Sequence, residues 1–208
     1  TKPDETDSFN KYVELRDDAK KAFYIHQGCS RKWMNQEDNE RKSSGINILW
    51  PKLDNADFKS ALKAAEQDGA SPNNISAVIK YSLNDGATVL WMGDLESDFM
   101  EEIENSINLP AVDVLFAPHH GRDTGKISES MLDKMSPKII VVGEAPSEHL
   151  NYYQGYNTIT QNSAGDIIFE CETGKVHIFT SNEYYVDFLD DESKSLANYH
   201  YVGTLNIS

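Results

Sequence analysis

The chain has 208 residues, 39% of them hydrophobic, with 34 acidic against 19 basic side chains and a formal charge of −15. That apolar fraction supports the core of one ordinary domain, and the acidic balance argues against a module that coats a nucleic-acid backbone, though not against a phosphodiesterase whose bound metal ions reverse the local field. No apolar run approaches the roughly 18–20 residues of a membrane helix, and the polar start, Thr1-Lys2-Pro3-Asp4-Glu5, reads neither as a signal peptide nor as an initiator segment.

The expectation is a cytoplasmic protein away from the membrane, present here as a trimmed or cleaved fragment, with Cys29 and Cys171 as ordinary thiols rather than a disulfide framework. Residues 5–22 read as a helix with Phe9, Tyr12, Val13 and Ala19 as a loose stripe, and Ala22-Phe23-Tyr24-Ile25 as a short strand. Residues 30–45 are polar and read as a solvated loop. Ile46-Asn47-Ile48-Leu49-Trp50 is a strand stopped by Pro51, and residues 57–67 form a helix ended by Gly69. A hairpin follows, with strands at 76–81 and 87–92 around Asn84-Asp85-Gly86. A helix at 97–107, a strand at 112–117, a helix at 127–135 and a strand at 139–142 come next. Residues 166–170 and 175–180 make a second hairpin around Thr173-Gly174, and residues 184–189 read as a last strand. Residues 190–208 are set apart as a C-terminal tail in which Tyr199-His200-Tyr201-Val202 fits either one more short strand or a segment that docks on a partner. Alternating strands and helices predict one α/β layered domain.

Chemistry gathers where the apolar strands end. Gly93-Asp94 closes the strand Thr88-Val89-Leu90-Trp91-Met92, and the glycine permits a tight exit. A carboxylate there faces the edge where α/β sheets collect ligands, although it would equally cap the helix that follows. Pro118-His119-His120-Gly121 closes the next strand, so that one imidazole is free to bind a metal while the other orients it or contacts substrate; a histidine pair without metal fits the same residues. His149, on the loop after Ile139-Ile140-Val141-Val142, stands where a proton donor or a plain surface histidine is found. Asn73-Asn74-Ile75-Ser76 has turn chemistry. His26, His177 and His200 are singletons without an assigned role, and His177, alternating with Val176 and Ile178, is expected to face away from the core.

The order of these motifs resembles the C-terminal two-thirds of a metallo-β-lactamase-fold hydrolase, closest to the hydrolase domain of the competence (DNA-uptake) proteins and its stand-alone relatives. The likeness spans about residues 46–180 and rests on Asn-Asn-x-Ser, then Gly-Asp, then Pro-His-His-Gly, then a histidine-bearing loop. It implies an αββα sandwich that is incomplete here, with residues 1–189 as the C-terminal part of the domain. Asp94 would bridge two Zn²⁺ or Mn²⁺ ions, with His119 or His120 as a metal ligand and His149 as the proton donor. The Asn73-Asn74-Ile75-Ser76 run falls where other branches place a metal-binding histidine, and Arg122 stands where this branch carries Ser. The family's His-x-His-x-Asp-His loop is missing from the six histidines of this chain.

The resemblance therefore implies a phosphodiesterase or nuclease that acts once an N-terminal half, a cleaved segment or a separate chain, completes the fold. Other protein subunits are allowed as partners and nucleic acid as substrate, and the stand-alone relatives suggest bacterial antiviral defence or DNA processing. Two further readings share the motifs: a non-catalytic scaffold subunit with a decayed hydrolase fold, and a hydrolase of a small non-nucleic substrate.

Overall fold

A computed structural model describes residues 5–37, 42–82 and 85–207. Asn84 of the expected hairpin turn and residues 38–41 of the expected polar loop lie outside them. The described chain is a mixed α/β structure built on two sheets. The larger has six strands in sequence order: β1 (Ile46–Trp50), β2 (Val78–Ser82), β3 (Thr88–Trp91), β4 (Val114–Phe116), β5 (Ile139–Val142) and β6 (Thr158–Thr160). Its first three strands pair antiparallel and β3 through β6 run parallel. The smaller sheet is antiparallel, in the order β7 (Ile167–Glu172), β8 (Lys175–Thr180), β9 (His200–Asn206).

The period-two alternation of strand side chains assigns each face of the large sheet its own core. Val78, Leu90, Met92, Leu115, Ile140 and Val142 point to one side. There they meet Phe58 of α2 (Ala56–Gln67), Phe99, Met100 and Ile103 of α3 (Ser97–Ile103), and Met131, Leu132 and Met135 of α4 (Glu129–Met135). Trp50, fully buried at the end of β1, ties these layers together through edge contacts to Phe58 at 5.9 Å and Phe99 at 6.1 Å. Val89, Val114, Ile139, Val141 and Ile159 point the other way, against Val176, Ile178 and Leu205 of the small sheet. All four residues of β5 are buried, as expected of a central parallel strand covered on both faces.

The three-stranded sheet is too narrow to cover that second face. Trp91 stays 37% exposed and stacks on Phe116 at 5.1 Å. With Tyr81, Val89, Phe169 and Cys171 they line an apolar groove of about 450 Å³. Tyr81 and Cys171 also belong to a wider hollow of about 780 Å³ beside Ala87 and Thr173.

Several expectations are corrected. Residues 22–25 are not a strand, and α1 (Thr6–Asp17) ends sooner than expected and buries none of its residues, so its apolar stripe finds no core. The segment expected to be solvated, residues 30–45, contains Met34, only 1% exposed, which packs with the preceding Cys29 and with Ile48 in a small third core. Residues 184–189 do not form a strand; Tyr184, Phe188 and Leu189 instead pack on the second core as irregular chain. β6 and the short α5 (Gln161–Ala164) were not foreseen. The expected tail supplies β9, an integral strand. His177 does face away from the main core, yet it is buried: its Nδ1 lies 2.7 Å from Thr204 Oγ1, beside a segment fastened by the Glu192 carboxylate to Lys175 and by the Glu192 N–H to the Tyr201 hydroxyl. Among the described residues no helix is long and apolar enough to cross a membrane.

Candidate metal centre

The parallel strands β3 to β6 deliver their C-terminal ends to one edge of the sheet, where α/β folds place ligands. A pocket of about 250 Å³ opens there. It is lined by Gly93 and Asp94 after β3, Ala117 and His120 after β4, Gly143 after β5 and Gln161 after β6, with Trp91 and Phe116 as an aromatic wall.

Asp94 reaches this edge by a sharp exit. Gly93 has φ +59°, and a Cβ on it would sit 2.6 Å from the Ser76 Cβ, so only glycine fits. The Asp94 N–H donates to Ser76 Oγ at 3.0 Å. Met92 and Leu95, 1% and 0% exposed, anchor the turn on either side. Asp94 does not cap α3: the N-cap position is Glu96, whose side chain makes no capping bond. The Asp94 carboxylate instead faces His120, with Oδ1 3.7 Å from Nε2 and both side chains about half exposed.

His119 and His120 are consecutive left-handed residues, φ 48° and 59°. The conformation bends the chain back so that the His119 N–H donates to the Gly93 carbonyl at 2.9 Å, locking the β3 and β4 exits together. The two rings diverge. His119 Nδ1 lies 2.9 Å from Thr124 Oγ1, on the loop beyond, and His119 does not line the pocket. Of the two histidines, His120 is the one brought to Asp94.

His149 is not brought there. Its loop turns toward the helix layer, where Leu150 and Tyr152 pack on the first core. The His149 ring stacks on Tyr152 at 5.2 Å, and its Nε2 lies 3.6 Å from Glu148 Oε1. The expected proton donor is therefore held by its own loop and does not line the Asp94–His120 pocket.

Asn73 and Asn74 do not reach the pocket either. Both donate their side-chain amides to Glu96, at 2.9 and 3.2 Å. Sequence reasoning missed Glu96 and also Gln161, the pocket's amide; a Gln directly after a strand of the parallel set was the available signal, but β6 is only three residues long and was not recognised.

A divalent ion fits the chemistry of this donor pair, since an imidazole nitrogen and a carboxylate oxygen converge on one open pocket. They are two donors only: among the described residues no group of three or more His, Cys, Asp or Glu side chains is arranged to hold a metal ion. No protein-family model matches the chain, and no curated protein does.

Proposed function

We propose that the chain is a subunit or fragment of a metal-dependent hydrolase of the metallo-β-lactamase type, a phosphodiesterase or nuclease that works when a second polypeptide segment completes its fold. The observation that carries this reading is the convergence of Asp94 and His120, from two neighbouring parallel strands, on a single strand-end pocket. Those two residues would hold one side of a centre of two Zn²⁺ or Mn²⁺ ions, with Asp94 as the bridge. Metal ions there would supply Lewis-acid stabilisation of charge developing on a phosphoryl or carbonyl oxygen and would activate water. Gln161 offers an amide to orient a bound oxygen, and Trp91 and Phe116 keep one wall of the pocket apolar. His149 is given no role in proton transfer.

Two features support completion by another segment. β7 is an edge strand with no further neighbour among the described residues. It borders the groove of Trp91, Phe116 and Phe169, so an added strand would both pair with β7 and bury those rings. The scaffold reading has one observation in its favour, the lack of a third metal ligand among the described residues.

The test is hydrolysis of bis(p-nitrophenyl) phosphate with Mn²⁺ or Zn²⁺ by the chain assembled with the completing segment. Asp94→Ala and His120→Ala are expected to lower the rate by roughly a hundredfold or more, the scale of losing a group that acts directly on developing charge. Full rates in both variants would reject the enzyme reading in favour of the scaffold.

A further inference from the structure

We propose that the Asn73-Asn74-Ile75-Ser76 turn is a positioning element for Asp94, acting from outside the metal shell through the Asp94 amide and the Glu96 carboxylate. The proposal rests on the metal-hydrolase reading and adds to it the device that fixes the bridging carboxylate. The turn is a 3₁₀ segment, Pro72–Ile75, with proline in its first turn and the Ser71 side chain accepting from the Asn73 N–H. Its backbone is therefore shaped locally, by the proline and the Ser71 side chain.

Four hydrogen bonds cross from this turn to the strand exit, over 18 to 23 positions of sequence. Ser76 Oγ accepts the Asp94 N–H at 3.0 Å. Asn74 Oδ1 accepts the Glu96 N–H at 3.0 Å. Asn73 Nδ2 donates to Glu96 Oε1 at 2.9 Å and Asn74 Nδ2 to Glu96 Oε2 at 3.2 Å. The chain is gripped at residue 94 and again at residue 96, with Leu95 buried between them.

The division of labour is chemical. Both Glu96 oxygens are occupied by amide donors, a charge-assisted pair that removes Glu96 as a free ligand. Asp94 is held by its backbone alone. Its carboxylate takes no hydrogen bond from the turn and stays 48% exposed toward His120. Asparagines hold a carboxylate by donation without a titrating group and without competing for the ion. The same turn makes Gly93 obligatory, because Ser76 occupies the space of a Cβ there.

The experiment compares Ser76→Ala, Asn73→Ala and Asn74→Ala with the wild type, in the chain assembled with its completing segment. It measures Mn²⁺ affinity, urea unfolding, and hydrogen exchange of the Asp94 and Glu96 amides. The expected result is a loss of Mn²⁺ affinity of about 10–100-fold, the range for removing a supporting hydrogen bond behind a ligand. Exchange at those two amides should rise while exchange in β4 and β5 is unchanged. Asn73→Ala, on the partly exposed turn, keeps the test open if Ser76→Ala, packed against Gly93, does not fold. Glu96→Gln should lie between wild type and Glu96→Ala, since it retains one oxygen for an asparagine. Mn²⁺ binding that Asp94→Ala abolishes and the turn variants leave unchanged would overturn this proposal alone. A wild type that binds no Mn²⁺ while both amides are protected would overturn the metal reading and this proposal with it.

Discussion

At the scale of single residues, the two histidines after β4 hold an uncommon backbone conformation. Two successive non-glycine residues in the left-handed region cost on the order of 1–3 kcal/mol each and persist only when the surroundings fix them. At His119 and His120 the fixing contacts are the Gly93 carbonyl, Thr124 Oγ1 and the close approach of Gly125, where a Cβ would meet the Pro118 carbonyl oxygen at 2.6 Å. Tyr153 shows the contrasting case of a titratable group sealed in the helix-side core, 3% exposed. Burial pushes its hydroxyl from 10.0 up to about 12. Its neutral form is the stable one inside, so the folded pKa lies above the unfolded value. The stabilisation is complete below pH 10 and is lost as pH climbs from 10 toward about 12. A difference of that size corresponds to roughly 2–3 kcal/mol. Tyr153→Phe, which carries no titrating hydroxyl, is therefore expected to unfold at a higher pH than the wild type as the solution is made alkaline. A Tyr153→Phe protein with the same alkaline unfolding midpoint as wild type would contradict this.

At the scale of elements, the small sheet holds the sharpest expectation. The Ser181 N–H donates to the Asp166 carbonyl at 3.0 Å, which makes 166 and 181 a hydrogen-bonded pair. Alternation along an antiparallel ladder then turns the N–H and C=O groups of Ile168 and Glu170 toward β8 and those of Ile167, Phe169 and Cys171 toward the free edge. Amide exchange in this chain alone should be fast at Ile167, Phe169 and Cys171 and slow at Ile168 and Glu170, and the first set should slow when a completing strand is added. Equal protection of both sets in the isolated chain would show that the edge is already covered. Strands with a strong apolar pattern, β1, β4 and β5, were legible in the sequence because they are buried on at least one face and end at Pro or Gly. So were Asp94 and the histidine pair, since Gly-Asp and Pro-His-His-Gly stand directly after such strands. β6, Thr158–Thr160, was not legible: three residues, one of them buried, carry no period. The apolar residues at 184–189 misled in the opposite sense, because their side chains pack on a core while their backbone stays outside the ladder. Nor could sequence alone choose between His119 and His120, since the choice is made by two left-handed backbone angles and by Thr124.

At the scale of the whole molecule, layering and charge bear on one question, whether this chain can hold metal alone. The helix-side core is closed and continuous from Trp50 to Tyr153, so the strand ends beneath the pocket are set by packing independent of any ion. The opposite face is left half covered, with Trp91 and Phe116 forming both a wall of the pocket and a rim of the groove. The pocket thus shares its aromatic wall with the part of the large sheet that the small sheet leaves uncovered. A charge of −15 draws divalent cations toward the surface in general, so weak binding at many carboxylates is expected and is not a signature of this site. Specific binding needs a filled shell, and structural or catalytic zinc takes three or four protein donors, where this pocket offers two. The isolated chain is therefore expected to bind Zn²⁺ or Mn²⁺ weakly and without a fixed stoichiometry in calorimetric titration, with Asp94→Ala changing the isotherm little. Assembly with the completing segment should produce two tight sites that Asp94→Ala removes and that raised salt leaves largely intact, because ligation, unlike surface attraction, is not screened over a Debye length. Tight stoichiometric metal in the isolated chain would mean that the shell is complete without a partner, and the proposal of a divided centre would fall.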